Sequence, residues 1–390
     1  MQKFDNDLLC STLITNLREI KDTRIPYLVV YPLIEILFLA LVARICGCTD
    51  DEMTKEFGKV RLPWFRKFLS YSNGIPSYDT INRVLSSIDS FQFESLLSST
   101  LEIVGEKIDS KTVNIDGKRI RGSVTKDEAQ KKASEGGKQS KFMVNIYCDE
   151  VGLCLGSIEV GSKGGEKAIV PKFFETFDLK GSLVTTDSGF GYKDTTSCIT
   201  ENGAHYLIQV KNNQANLVKV IEELTKNASN VYESKEEHVR GRIEQRTCKV
   251  FIISELSKLE ISKYESVVGK WSNLKSLVRI ESKRKAASAE KVVEKVRYYI
   301  SDLEFTAQKA NEEIRKHWAI ENKLHWKLDV ILKEDNSRKR KKNSAVNNSI
   351  INKLAFNLLN NYQSGGKNSL KIKIQKCCWE TDYLEKVLGF

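Results

Sequence analysis

Between Thr112 and Val210 the chain alternates strand-type runs with helical ones, and that alternation limits it to a mixed α/β sheet. Thr112-Val113-Asn114-Ile115-Asp116 is a short β-type run ending in an acid. Residues 142–147 and 153–160 give two more, joined by Asp149-Glu150-Val151-Gly152, which suits a hairpin. A helix is predicted over about 167–177, a strand over 183–187, a helix over about 193–201 and a fifth strand over 206–210. Three meandering strands followed by alternating helix and strand make an α/β arrangement.

That order is the one expected of a ribonuclease-H-like fold. Ahead of it, residues 1–108 read as helical, with helix-period apolar positions at Leu33-Ile36-Leu37-Leu41 and Trp64-Phe65-Phe68-Leu69. Ser72 to Ser77 is a turn cluster, and Ser77 or Asp79 could cap the helix that carries Ile81, Val84 and Leu85. Short helices joined by turns suit a DNA-binding module, and equally any small helical domain. The α/β domain is expected over 109–362, with a β-rich insertion at about 212–302 whose topology is not assignable from pattern. A long helix is predicted over about 306–332, and 363–390 is read as a C-terminal tail.

Two acids close predicted strands: Asp116, followed by Gly117-Lys118, and Asp187, followed by Ser188-Gly189. Chemistry in α/β sheets gathers at the carboxyl ends of strands, and a glycine there lets the chain leave sharply. The other reading is a turn or capping acid, the commoner use of Asp at such junctions. On the 306–332 helix, His317, Glu321 and His325 follow at four-residue intervals on one face, flanked by Trp318 and Trp326. That stripe could be a solvated face or a zinc stripe. Zinc wants a closed tetrahedral set, and His205 and His238 have no partner spacing. Carboxylates from two strand ends and one helix would hold Mg²⁺ or Mn²⁺, hard ions that take oxygen ligands. Two such ions roughly 3.5–4 Å apart can serve the attacking and leaving oxygens of an in-line phosphoryl displacement. Nucleotide motifs fail: Glu166 fills the glycine place before Lys167 of a P-loop, and Gly189 to Asp194 lacks the third glycine of a dinucleotide fingerprint.

Sixty-two Lys and Arg against 51 Asp and Glu give a net charge of +11. This favours a polyanionic partner, with an anionic membrane surface as the other fit. The most apolar stretch, 28–46, contains Pro32, Glu35 and Arg44. Its uninterrupted core, 36–43, is far shorter than the ~20 residues that span a bilayer, so a buried helix is expected and no membrane partner. The first residues lack a signal-peptide layout. Nine cysteines, with only Cys46-Gly47-Cys48 and Cys377-Cys378 as close pairs, suggest reduced thiols in the cytoplasm. Cations gather near the acids: Lys118, Arg119 and Arg121 after the first, Lys211 after the fifth strand, and His238, Arg240, Arg242 and Arg246 in the insertion. Arg338-Lys339-Arg340-Lys341-Lys342 completes the set. Each could be a solvated face; together they would supply phosphate contacts.

Several strings then carry a resemblance: Gly74-Ile75-Pro76-Ser77-Tyr78-Asp79-Thr80, Ile115-Asp116-Gly117-Lys118, His238-Val239-Arg240-Gly241-Arg242-Ile243-Glu244, and His317 through Val330 (HWAIENKLHWKLDV), with Glu334-Asp335-Asn336-Ser337-Arg338-Lys339. They resemble the H-repeat-associated (ISAs-type) transposases of bacterial insertion sequences, from about residue 5 to 360 in the family's order and spacing. The resemblance implies a ribonuclease-H-like catalytic domain with an Asp-Asp-Glu triad at Asp116, Asp187 and Glu321. It implies a β-rich insertion before the Glu helix and an N-terminal helical transposase-associated domain. It further implies two Mg²⁺ or Mn²⁺ ions, cleavage at terminal inverted repeats, joining of the freed 3′ ends to target DNA, and a homodimer in a synaptic complex at the bacterial nucleoid.

Some positions depart from the pattern. Asp187-Ser188 stands for the usual Asp-Ala, and Lys211-Asn212-Asn213-Gln214 for Lys-Gly-Asn-Gln. The broader superfamily's Tyr-Arg-Glu-Lys signature is not reproduced: Ile314, His317 and Leu328 fall at its Tyr, Arg and Lys places, with Arg315 and Lys327 nearby. Expected DNA contacts are therefore Arg315, His317 and Lys327 together with the cations above. The alternatives are a transposase-derived DNA-binding protein that no longer cuts, and a nuclease of the same fold that hydrolyses without joining.

Overall fold

The computed structural model describes residues 6–104, 110–125, 139–161, 168–239, 241–286, 292–363, 366 and 368–390. It divides into two compact units, one of residues 1–107, 117–163 and 321–390, the other of residues 108–116 and 164–320. Among the described residues ten strands occur in chain order: β1 Thr112–Arg119, β2 Phe142–Cys148, β3 Leu153–Val160, β4 Leu183–Thr186, β5 His205–Val210, β6 Asn230–Glu233, β7 Glu237–Val239, β8 Arg242–Ile252, β9 Ser276–Ala286 and β10 Val292–Ser301. The architecture is mixed α/β, and among the described residues no helix is long and apolar enough to cross a membrane.

The first unit is built on two helices that bury nearly their whole circumference. Leu33–Ile45 is apolar all round and every residue but Ile34 is buried, as its composition predicts. Ser344–Asn361 is less apolar, and several of its buried amide groups find specific partners. Asn347 donates to the carbonyls of Leu85 and Ile88, Arg44 donates to Asn348, and Asn357 exchanges two hydrogen bonds with the Cys154 backbone (2.9 and 2.8 Å). Around these pack Asn6–Glu19, Asp51–Phe65, Tyr78–Ser87 and Ser90–Val104. Ser77, rather than Asp79, caps Tyr78–Ser87 by accepting from the Thr80 amide. β2 and β3 form the expected antiparallel hairpin, turned at Gly152 (φ +75°). The segment read as a tail contains two further helices, Leu370–Trp379 and Thr381–Leu388.

In the second unit the strand order is β1-β4-β5-β10-β9-β8-β6, with β7 on β8. β1 pairs parallel with β4, and β4 with β5; the other pairs, from β5–β10 onward, are antiparallel. The helix Lys193–Glu201 links β4 to β5, as the alternation predicts. The long strands β8, β9 and β10 continue the same sheet. Their apolar face (Cys248, Val250, Val278, Ile280, Tyr299) packs with Leu207 of β5 against Ala307, Ala310 and Ile314 of the helix Ala307–His317. That helix is shorter than predicted. After Trp318 the chain enters a π-helical turn, Ile320–His325, before a short α segment, Trp326–Val330.

Candidate active site

The two strand acids come together through register. β1 and β4 run parallel with Ile115 opposite Thr186, and Asp116 and Asp187 are the next residue on each. Both are half-buried. Asp116 does not end its strand, however, because β1 runs on to Arg119. Nor does Gly117 mark a sharp exit. A Cβ there would stand 2.2 Å from the Phe142 ring, so the glycine is set by close packing. Asp187 does act as a cap, its Oδ1 accepting the Gly189 amide at 2.9 Å over the 3₁₀ turn Ser188–Phe190. That bond fixes the carboxylate on the strand end.

Beneath the acids lies a polar floor that spacing alone did not reveal. Residues two apart on a strand share a face, so Asn114 and Thr185 stand under Asp116 and Asp187. The Thr185 hydroxyl donates to Asn114 Oδ1 (2.7 Å), and His317 Nδ1 lies 2.8 Å from the same hydroxyl. With the single hydroxyl proton given to Asn114, His317 Nδ1 carries the proton and donates. Burial pushes the imidazole pKa down to about 4, outweighing the Thr185 contact, so His317 is neutral near pH 7. One turn earlier, Thr112 of β1 donates to Glu313 (2.6 Å), a buried carboxylate also paired with Lys309 and Lys316. Glu313 and His317 thus bolt one helix face to the strands that carry the two acids. Glu321 follows four residues later, exposed, in the π turn. It belongs to the first compact unit, and Asp116 and Asp187 to the second.

Behind Asp187, Asn213 donates to the Ser188 carbonyl (3.2 Å) and Gln214 to the Gly191 carbonyl (3.0 Å). The Lys-Asn-Asn-Gln string therefore braces the loop after the second acid. His325 Nε2 meets Asn145 Nδ2 at 3.1 Å in the first unit, well buried and engaged with an amide. These two strings were visible as motifs, but their partners lie far away in sequence.

The expected phosphate-contacting cations divide by environment. Lys118 is buried (8% exposed) among Asp329 (2.7 Å), Glu334 (2.9 Å) and Asp335 (3.5 Å). Burial opposes its charge, but these carboxylates more than offset it and hold its pKa above the ordinary lysine value. Lys339 is likewise buried, in an ion pair with Asp51. With His317, both are engaged inside the protein. Arg119 stacks over the Phe142 ring, Arg315 pairs with Glu237 (2.7 Å), and Lys327 lies over the Phe356 ring. Arg121 (82% exposed), Lys211, His238, Arg242, Arg338 and Arg340 face solvent. Arg240 lies outside the described residues. Arg246 is paired with buried Glu244 (2.7 Å).

Among the described residues no three His, Cys, Asp or Glu side chains form a ready cage for a metal ion. The donor chemistry at the strand ends is nonetheless that of a hard cation: two carboxylates on adjacent strands. Mg²⁺ is commonly held by one or two carboxylates, with waters and substrate phosphates completing its shell. Asp116 and Asp187 fit that mode.

Comparison with known proteins agrees with this layout. Residues 108–358 match the family described as "Transposase DDE domain", and residues 14–100 match the model described as "DDE_Tnp_1-associated". The chain is 36% identical over 388 residues to "Putative transposase YncI" of Escherichia coli O157:H7, covering 97% of this chain and 94% of that one. It is 30% identical over 384 residues to "H repeat-associated putative transposase YhhI" of Escherichia coli strain K12, covering 97% of each. The chain is a DDE transposase of the H-repeat group.

Proposed function

We propose that this transposase cuts DNA at the terminal inverted repeats of its element and joins the freed 3′ ends to target DNA, with Asp116, Asp187 and Glu321 as its active-site acids. The observation that carries this is the register of β1 and β4, which sets Asp116 and Asp187 on neighbouring strands over one polar floor. Asp116 and Asp187, completed by Glu321, would hold two Mg²⁺ or Mn²⁺ ions, which when bound activate a water or 3′-hydroxyl and neutralise charge on the departing oxygen.

The chain's own part is positioning. Gly189 N–H and the Asn213 and Gln214 amides hold the Asp187 loop in shape. Neutral His317 and Glu313 fix the helix that leads to Glu321. Arg119, Arg121, Lys211, His238, Arg242, Arg315, Lys327, Arg338 and Arg340 are the proposed phosphate contacts. Arg240, in the same string as His238 and Arg242, is proposed with them. Lys118, His317 and Lys339 act instead as internal scaffold. Residues 1–108 serve as a helical DNA-binding region, and 109–362 as a ribonuclease-H-like catalytic domain with an insertion over about 212–302. The working form is a homodimer that synapses two element ends at the cytoplasmic nucleoid.

The test incubates the purified full chain with a plasmid bearing the DNA that flanks its gene, in Mg²⁺ or in EDTA, beside Asp187→Asn. Mg²⁺-dependent cuts at the element ends, joined products, and a variant that binds but does not cut are the expected results. Cleavage retained by Asp187→Asn would remove the acid assignment, and cutting without joined products would favour a nuclease.

A further inference from the structure

We propose that a lysine-lined cleft between the Trp326–Val330 segment and the start of the helix Leu370–Trp379 binds the phosphodiester backbone of a DNA strand, with the Trp326 ring as a face for its sugars or bases. The inference deepens the transposase reading above and rests on it for the identity of the polyanion. The cleft is about 640 Å³ and is lined by Lys327, Lys333, Lys371 and Lys373, with no acidic residue among its lining groups.

Two of these lysines lose water without forming an ion pair among the described residues. Among the described residues Lys327 meets Asn360 Oδ1 (3.3 Å) and the face of the Phe356 ring, with Asp149 acting only as a weaker, non-bonded counter-charge. Lys373, buried, donates to the carbonyls of Leu359 (2.8 Å) and Tyr362 (2.6 Å). Burial pushes both pKa values down, outweighing the nearby counter-charge. Lys333 and Lys371 are exposed, with no side-chain partner among the described residues. Lys333 is held at φ +55°, an uncommon backbone state for a non-glycine residue. The helix Leu370–Trp379, capped by Ser369, begins at the cleft wall and adds the positive end of its dipole.

Four cations and a helix start around one cleft call for an anion with several charges spread over some length, larger than one phosphate group. Trp326 is 47% exposed at the rim. An aromatic face beside spaced lysines is how proteins hold a nucleic-acid strand without reading its sequence. Trp326 also follows Glu321 by five residues, so a strand seated here passes along the segment that bears the third proposed acid.

The experiment uses the full chain in the Asp187→Asn background, so that DNA is bound and not consumed. Affinity for end-bearing duplex and for single-stranded oligonucleotide is measured by fluorescence anisotropy across a salt series. Substituting the exposed pair, Lys333→Gln with Lys371→Gln, should reduce the slope of log affinity against log salt by about two, one per lost contact. Trp326→Ala should weaken binding and Trp326→Phe should retain it. Protection of Lys371 from acetylation gives a second readout, with DNA, a nucleoside monophosphate and inorganic phosphate as separate probes. If the slope and affinity match the parent protein, the proposal is overturned while the transposase reading stands. If phosphate protects Lys371 as well as DNA does, the cleft is a small-anion site and the DNA assignment falls. If the parent protein binds no end-bearing DNA, it is the transposase reading that fails.

Discussion

Lys118 and Glu334 lie 2.9 Å apart with side chains 8% and 1% exposed, and they join the strand just beyond Asp116 to the segment after the Trp326–Val330 helix. Glu334 also accepts from Ser349 (2.8 Å) and stands 4.0 Å from Lys353. Its burial favours the neutral acid, but Lys353 and Lys118 outweigh this and hold its pKa at about 2. Removing Lys118 would leave the buried Glu334 carboxylate with Lys353, at 4.0 Å, as its one remaining ion-pair partner among the described residues and would take the ion pair from Asp329 as well. Lys118→Met is therefore expected to destabilise the fold by about 3–5 kcal/mol in urea unfolding. The triple variant Lys118→Met with Glu334→Leu and Lys353→Met, which removes the buried carboxylate and both of its cations together, should recover part of that loss. A single variant as stable as the parent would show that the pair is not internally compensated.

His317 gives a pH dependence with a definite sign. Its pKa in the fold, about 4, lies below the ordinary 6.5, so the unfolded chain takes up the proton first. The stabilisation is complete above about pH 6.5 and is lost as pH falls through the interval down to 4. A shift of that size corresponds to roughly 3 kcal/mol. Unfolding free energies at pH 7.5 and pH 5 should differ by much less in His317→Gln than in the parent. Equal acid sensitivity in both would assign the effect to another group.

Gly117 is expected to refuse any side chain. The Cβ of Gly117→Ala would meet the Phe142 ring at 2.2 Å, and overpacking of this kind costs about 1–3 kcal/mol. Phe142→Leu in the same chain should restore part of the melting temperature. If Gly117→Ala alone melts with the parent protein, the close approach is not the reason for the glycine.

Asn213 and Gln214 hold the loop behind Asp187 from outside the acid set. Replacing both with alanine should slow plasmid cleavage between about tenfold and a hundredfold, the scale of a small misplacement, while leaving end binding unchanged. A matching loss of binding would make these residues DNA contacts instead.

Much of this was legible in the sequence where physics is local. The β2–β3 hairpin, the helix Lys193–Glu201 and the buried helix Leu33–Ile45 all follow from period, turn residues and apolar runs. Asp116 and Asp187 stood out in the sequence because each follows a short β-type run. What stayed hidden depends on distant partners. Lys118 looks like a surface cation until Glu334 arrives from 216 residues away. β10 escaped notice because residues 292–296 are exposed on both faces, so no alternation marks them. The polar floor of Asn114 and Thr185 had a faint signature, a polar residue two before each acid in a β-type run.

The π turn at Ile320–His325 closes on the fifth residue rather than the fourth and so shifts the phase of all that follows on that helix. Deleting one residue inside it would let the ordinary ladder close and would rotate Trp326 through Val330 by about 100° around the axis. Asp329 would swing away from Lys118, and Trp326 and Lys327 would leave their cleft. Within this turn the exposed Lys323 should accept a change of residue type far better than the turn accepts a change of length.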